Sequence, residues 1–132
     1  MWYPFSKSIS DKWHIDYDSS CDQDYKSSKI RFSIPLQGSG TEFANLTSEQ
    51  RLLIVKYFCE EFRCEYRFAS NIQQILKPDQ ISEVKLGQVA RFGGGSIYTG
   101  VVHKAPSDSG DRLTLIVSGK LKKKINIYPT IT

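Results

Sequence analysis

The sequence predicts an α+β domain: a mainly antiparallel sheet carrying one long helix, over about residues 47–63, and a second, shorter helix on one face. Three observations lead there. Thr47-Ser48-Glu49-Gln50 is a capping box that opens an apolar stretch of helical period. Trp13-His14-Ile15-Asp16-Tyr17 and Ile30-Arg31-Phe32-Ser33-Ile34 alternate between large apolar and polar residues, as half-buried strands do. From Ser96 onward, β-patterned runs are separated by turn residues.

In the helix, the Thr47 hydroxyl accepts from the Gln50 amide while the Gln50 side chain returns to the Thr47 amide. Leu52, Val55, Cys59 and Phe62 recur at helical spacing, with Leu53, Ile54 and Phe58 widening the apolar face. Glu49, Lys56, Glu60, Glu61 and Arg63 fall mostly on the other side. Residues 72–76 form a helical turn stopped by Pro78. Pro78-Asp79-Gln80 then opens the shorter helix, in which Ile81, Val84 and Val89 face inward and Gly87 is a weak point.

The strand at 30–34 ends at Pro35, or lies at an edge there, because proline has no amide donor. Gln37-Gly38-Ser39-Gly40 is a turn, and Glu65-Tyr66-Arg67-Phe68 a short strand. Ser96–His103, Leu113–Val117 and Ile125–Tyr128 make a closing meander, with Ser118-Gly119 as a tight hairpin. Strands from both ends of the chain are expected in one sheet around the helix. With 132 residues and no repeat or linker, the chain reads as one domain, 1–132.

Apolar residues make up 39% and charged residues 24%, a globular rather than a disordered balance. The N-terminus lacks the basic start and apolar run of a secretory signal, and no segment has the length of a membrane span. Three cysteines, Cys21, Cys59 and Cys64, leave one unpaired, which argues against a disulfide framework and for a reducing, cytoplasmic setting. The net charge of +4 is uneven: residues 1–66 hold eight Lys/Arg against ten Asp/Glu, and residues 67–132 hold ten against four. An acidic run (Asp11, Asp16, Asp18, Asp22, Asp24) and a basic cluster (Lys120, Lys122, Lys123, Lys124) either address partners of opposite charge or neutralise each other in the fold.

Several chemistries are disfavoured. Gly93-Gly94-Gly95 precedes a strand rather than opening a helix and belongs to no G-x-x-x-x-G-K-[ST] loop, so it reads as a connector. No Gly-x-Ser-x-Gly occurs, Cys59 and Cys64 lack a second ligand pair, and the Asp16–Asp24 run lacks the pattern of an EF-hand. Neither a metal nor a cofactor is expected.

His14 and His103 are the two histidines. An acid–base pair with a lysine cleaves RNA without metal, and His103, Lys104, Tyr98, Thr99 and Tyr128 are the candidates for that chemistry. On an extended strand Thr99 and His103 share a face. Nothing in the sequence brings His14 near, and an isolated histidine at a strand end usually reads as a solvated or capping residue. Arg112, Lys120, Lys122, Lys123 and Lys124, with Tyr98 and Tyr128, form a candidate basic and aromatic face for nucleic acid; the same lysines suit a guarded sheet edge.

The ending Ile125-Asn126-Ile127-Tyr128-Pro129-Thr130, preceded by Leu113-Thr114-Leu115-Ile116-Val117-Ser118-Gly119-Lys120, resembles the last hairpin of bacterial endoribonuclease toxin domains of the EndoU-like kind. The resemblance covers at most residues 98–132. Asn126 stands where that pattern carries a threonine, and the paired upstream histidines of those domains are missing. It implies RNA cleavage only through this segment.

The leading expectation is a small, cytoplasmic, non-catalytic binding protein of the bacterial or phage inhibitor or immunity type, acting by protein–protein contact. Trp13, Asp16, Tyr17, Asp18, Asp22, Asp24 and Tyr25 are nominated for the partner, since Trp and Tyr favour interface centres and Asp complements a basic target. The alternatives are a metal-independent endoribonuclease using His103 and Lys104, and a nucleic-acid-binding module using the basic C-terminal hairpin. The expected partner is another protein, or nucleic acid through the basic C-terminal half, and not a membrane.

Overall fold

A computed structural model describes residues 12–16, 28–60, 71–94, 96–106, 110–121 and 127–132. It is an α+β fold with two antiparallel sheets. In chain order the elements are β1 (Ser28–Gln37), β2 (Glu42–Ala44), α1 (Ser48–Glu60), a 3-10 turn (Pro78–Gln80), β3 (Ile81–Glu83), β4 (Ala90–Gly93), β5 (His103–Lys104), β6 (Leu113–Leu121) and β7 (Thr130–Ile131). The larger sheet has the order β6-β1-β4-β7 and the smaller one β3-β2-β5.

Two clusters define the layering. Trp13, Ile15, Ala44, Leu46, Ile54, Val55, Ile72, Ile97 and Val102 fill the space between α1 and the smaller sheet. Phe43, Val84, Ala90, Phe92 and Val101 fill the space between the sheets. Strand alternation on β2 sends Phe43 to one cluster and Ala44 to the other, so the small sheet is the middle layer. Fully burying a side chain of the size of Phe43 or Ile72 contributes about 1.5–3 kcal/mol.

The capping box forms: Gln50 N donates to Thr47 Oγ1 at 3.1 Å, and Thr47 N donates to the Gln50 side chain at 3.0 Å. The buried face of α1 differs from the one expected. Arg51, Ile54 and Val55 are buried, while Leu52 and Leu53 are 64% and 41% exposed. The arginine turns inward because its guanidinium has a built partner: Nη1 donates to the carbonyl oxygens of Ile97 and Gly100 at 3.0 and 2.9 Å. Apolar spacing alone places Leu52 inside, but charge-assisted hydrogen bonds to two buried carbonyls outweigh it.

Other expectations need correction. Pro78 opens only a single 3-10 turn, after which Ile81–Glu83 pairs with β2, so the shorter helix expected to run on from Pro78 does not form. Residues 71–75 are helical, and the helix stops before Pro78 as expected. Residues 96–100 turn rather than extend, leaving His103–Lys104 as the strand, so Thr99 and His103 do not share a strand face. Ser118 and Gly119 lie inside β6, opposite Arg31 and Ile30. The described terminal strands form no meander, since β6 and β7 occupy opposite edges of one sheet and β5 belongs to the other; of the strand expected at Ile125–Tyr128, Ile125 and Asn126 lie outside the described residues and residues 127–128 bend. Pro35 is tolerated within β1 because pairing with β4 covers only Ile30–Ser33; beyond it β6 is the neighbour, and the register shifts between Pro35 and Gln37. Residues 65–68, Cys21 and Cys64 lie outside the described residues. No helix among the described residues is long and apolar enough to cross a membrane.

Candidate functional site

The segment carrying His14 adds to the free side of β5. His14 N donates to His103 O, and His103 N donates to His14 O, both at 3.0 Å. Residues opposed in this way project to the same face, which places the two imidazole rings 4.4 Å apart. Trp13 and Ile15 point to the helix side as core, so His14 and Asp16 face the larger sheet. Two glycines allow the segment to lie so close. A Cβ at Gly94 would collide with the Asp16 carbonyl oxygen, and one at Gly100 with the Ile15 side chain. Gly94 therefore acts as a close-approach position, beyond the connector role read from the sequence.

Each ring is fixed by a backbone carbonyl. His14 Nδ1 lies 2.6 Å from Lys12 O, and His103 Nδ1 lies 2.9 Å from Val101 O. A carbonyl only accepts, so each Nδ1 carries the hydrogen and Nε2 is the nitrogen left for chemistry. His103 Nε2 stands 3.5 Å from Asp16 Oδ2, and the same oxygen is 3.1 Å from Arg31 Nε. His103 is only 6% exposed, packed against Phe92 with ring centroids 4.7 Å apart. Burial, opposed by the Asp16 carboxylate and assisted by the neighbouring His14, lowers its pKa from 6.5 to about 4. The ring is neutral at pH 7.

These groups open on a cleft of about 410 Å³ between the sheets, lined by His14, Arg31, Thr41, Phe92, His103, Lys104, Ala105, Arg112, Leu113, Thr114 and Ile116. Arg31 and Phe92 are directly opposed across β1 and β4, so both face it. Arg112 is oriented by Ser39 O and Thr114 Oγ1, to which it donates at 3.1 and 3.0 Å. Lys104 contributes to the wall, but its ammonium is turned away from the imidazoles by strand alternation. It lies 3.5 Å from Glu42 Oε2 and 5.2 Å over the Trp13 ring.

The structure brings together His103, which the sequence nominated, and His14, which the sequence left isolated. The other nominated residues disperse. Tyr98 and Thr99 belong to the turn held by Arg51, where Thr99 Oγ1 accepts from Ser96 N. Tyr128 donates its hydroxyl to Leu46 O at 2.7 Å, away from the cleft lining. Of the residues nominated for a protein partner, Trp13 is core and Asp16 faces Arg31 and His103. Tyr17, Asp18, Asp22, Asp24 and Tyr25 lie outside the described residues, as do Lys122, Lys123 and Lys124; Lys120 is exposed on β6. Arg31 and Arg112 line the cleft, and of these two Arg31 had no prior nomination. Its sole signal was its place in an alternating strand, where a charged residue reads as solvent-facing. The chain matches no family model, no curated protein and no solved structure.

Proposed function

We propose that the chain is a metal-independent endoribonuclease. One observation carries this reading: two imidazoles, 4.4 Å apart, share a cleft with two guanidinium groups. An acid–base pair and fixed cations are what internal transesterification of RNA requires. His103, held neutral, takes the proton of a ribose 2′-hydroxyl as its oxygen attacks the adjacent phosphorus. His14, nearer solvent, gives a proton to the departing 5′-oxygen. The products are a 2′,3′-cyclic phosphate and a 5′-hydroxyl end. Arg31 and Arg112 are the cations that oppose the charge gathering on the phosphoryl oxygens. The neutrality of His103 suits it to the base role, and the two Nδ1–carbonyl bonds hold both Nε2 atoms ready.

The test is cleavage of an RNA oligonucleotide in excess chelator. His14→Ala and His103→Ala should each lower the rate by about 10²–10⁴-fold. Arg112→Ala should also lower it, while Lys104→Met should leave most of it, because that ammonium faces Glu42 and Trp13. Undiminished cleavage in the His14 variant, or none in the wild type, sinks the reading.

A second reading, protein–protein contact by an inhibitor-type factor, has one supporting observation. Phe32 and Ile34 of β1 oppose Val117 and Leu115 of β6 on the outer face of the larger sheet, and Leu115 and Val117 are exposed. An apolar face of this kind suits a protein partner. The odd cysteine count remains the support for a cytoplasmic setting.

A further inference from the structure

We infer that His14, Asp16 and His103 form a binding site for a divalent transition metal of the zinc class, one that competes with the imidazole pair's own chemistry. One ring nitrogen of each histidine and a carboxylate oxygen of Asp16 lie within 4.8 Å of one another. The separation of His103 Nε2 from Asp16 Oδ2, 3.5 Å, is too long for a good hydrogen bond. It matches the edge of a tetrahedron whose metal–ligand bonds are about 2.1 Å, an edge of about 3.4 Å.

Two further observations point to a cation. The lone pair that Nε2 presents once Nδ1 has donated to Val101 O faces a carboxylate oxygen, so two electron-rich atoms stand 3.5 Å apart. Asp16 Oδ2 is also a buried oxygen that accepts no hydrogen bond among the described residues; its contact with Arg31 Nε is an ion pair without hydrogen-bond geometry. The donor set is two imidazole nitrogens and one carboxylate oxygen, which suits zinc and its neighbours and not magnesium or calcium. Both Nδ1 atoms donate to backbone carbonyls, the outer-shell arrangement that orients histidine ligands. Three protein ligands leave a fourth position, on the side of the cleft. Arg31 works against the metal, since its charge lies on the ligand oxygen.

Metal binding as such stands apart from the RNA-cleavage reading; the inhibition that it implies rests on that reading. The measurement is titration of the full chain with Co2+, read by its visible absorption, followed by displacement with Zn2+. The background carries Cys21→Ser, Cys59→Ser and Cys64→Ser so that thiolates do not contribute. One ion per chain is expected. His14→Gln, at a half-buried position, and Asp16→Asn should each weaken binding by at least about tenfold. Arg31→Gln should tighten it, an outcome that a purely structural role for these residues does not produce. Retained affinity in both ligand variants, or less than half an ion bound by the parent, overturns the site. In the cleavage assay, Zn2+ should inhibit in proportion to occupancy. Cleavage that requires Zn2+ would leave the metal site standing and remove the metal-independent mechanism. Binding without any cleavage activity, with or without metal, would likewise separate the two.

Discussion

Gly94 and Asp16 lie backbone against backbone, so closely that a Cβ at position 94 would meet the Asp16 carbonyl oxygen. That contact seats the segment carrying His14 beside β5, and with it the imidazole that this segment contributes to the cleft. Gly94→Ala should destabilise the fold by about 1–3 kcal/mol, the range for overpacking a closed site. Urea unfolding measures this, and Gly110→Ala, where a Cβ meets open space, should stay within about 0.5 kcal/mol of the wild type. Equal effects at the two positions would refute the close-approach account.

Arg51 is the anchor between α1 and the 96–100 turn. Replacing it with Met removes the donor to the carbonyl oxygens of Ile97 and Gly100 and leaves both buried acceptors without it. The expected loss is about 3 kcal/mol. Leu52→Gln, at a position 64% exposed, should change stability by less than about 0.5 kcal/mol. The order reverses if the apolar periodicity of the sequence, rather than the guanidinium, decides the buried face. Denaturation midpoints at a common slope distinguish the two.

His103 makes stability depend on pH. Its pKa is about 4 in the folded chain against an ordinary 6.5, so between these values the unfolded chain binds a proton that the folded chain does not. Stability therefore rises with pH across that window: it is fully present above about 6.5 and is lost as pH falls toward 4. The total loss is on the order of 3 kcal/mol. Unfolding in chelator at pH 7 and at pH 4.5, in wild type and His103→Gln, checks it. The variant should show a shallower dependence, and an identical slope would show that other groups govern it.

Tyr128 separates structure from chemistry at the C-terminus. Its hydroxyl donates to Leu46 O at 2.7 Å, and Leu46 is core. Tyr128→Phe should cost about 1 kcal/mol of stability and leave RNA cleavage unchanged in folded protein. A loss of cleavage with stability retained would return Tyr128 to the active site.

Local features were legible in the sequence wherever the cause was local. Thr47 and Gln50 name their own hydrogen bonds, so the start of α1 could be read three residues at a time. The alternation at Trp13–Asp16 fixed which side chains turn inward, since the β period depends only on backbone geometry. At Ile30–Ile34 the period held, but Arg31 and Ser33, rather than Phe32 and Ile34, face the other sheet. The apolar surplus and absence of breakers over 52–56 fixed a helix there, though not the face it buries. Arg51 was unreadable because its partners are the carbonyls of a turn 46 positions away.

The sequence by itself determined the α+β class, the capped helix, the strand at β1 and the two histidines as the only imidazoles available. The tertiary structure alone decided that they meet. His14 and His103 are 89 positions apart, and their pairing is a strand register set by Gly94 and Gly100, by the core burial of Trp13 and Ile15, and by paired backbone hydrogen bonds. Those interactions are non-local and carried largely by the main chain, which is the same at every position, so no residue pattern announces them.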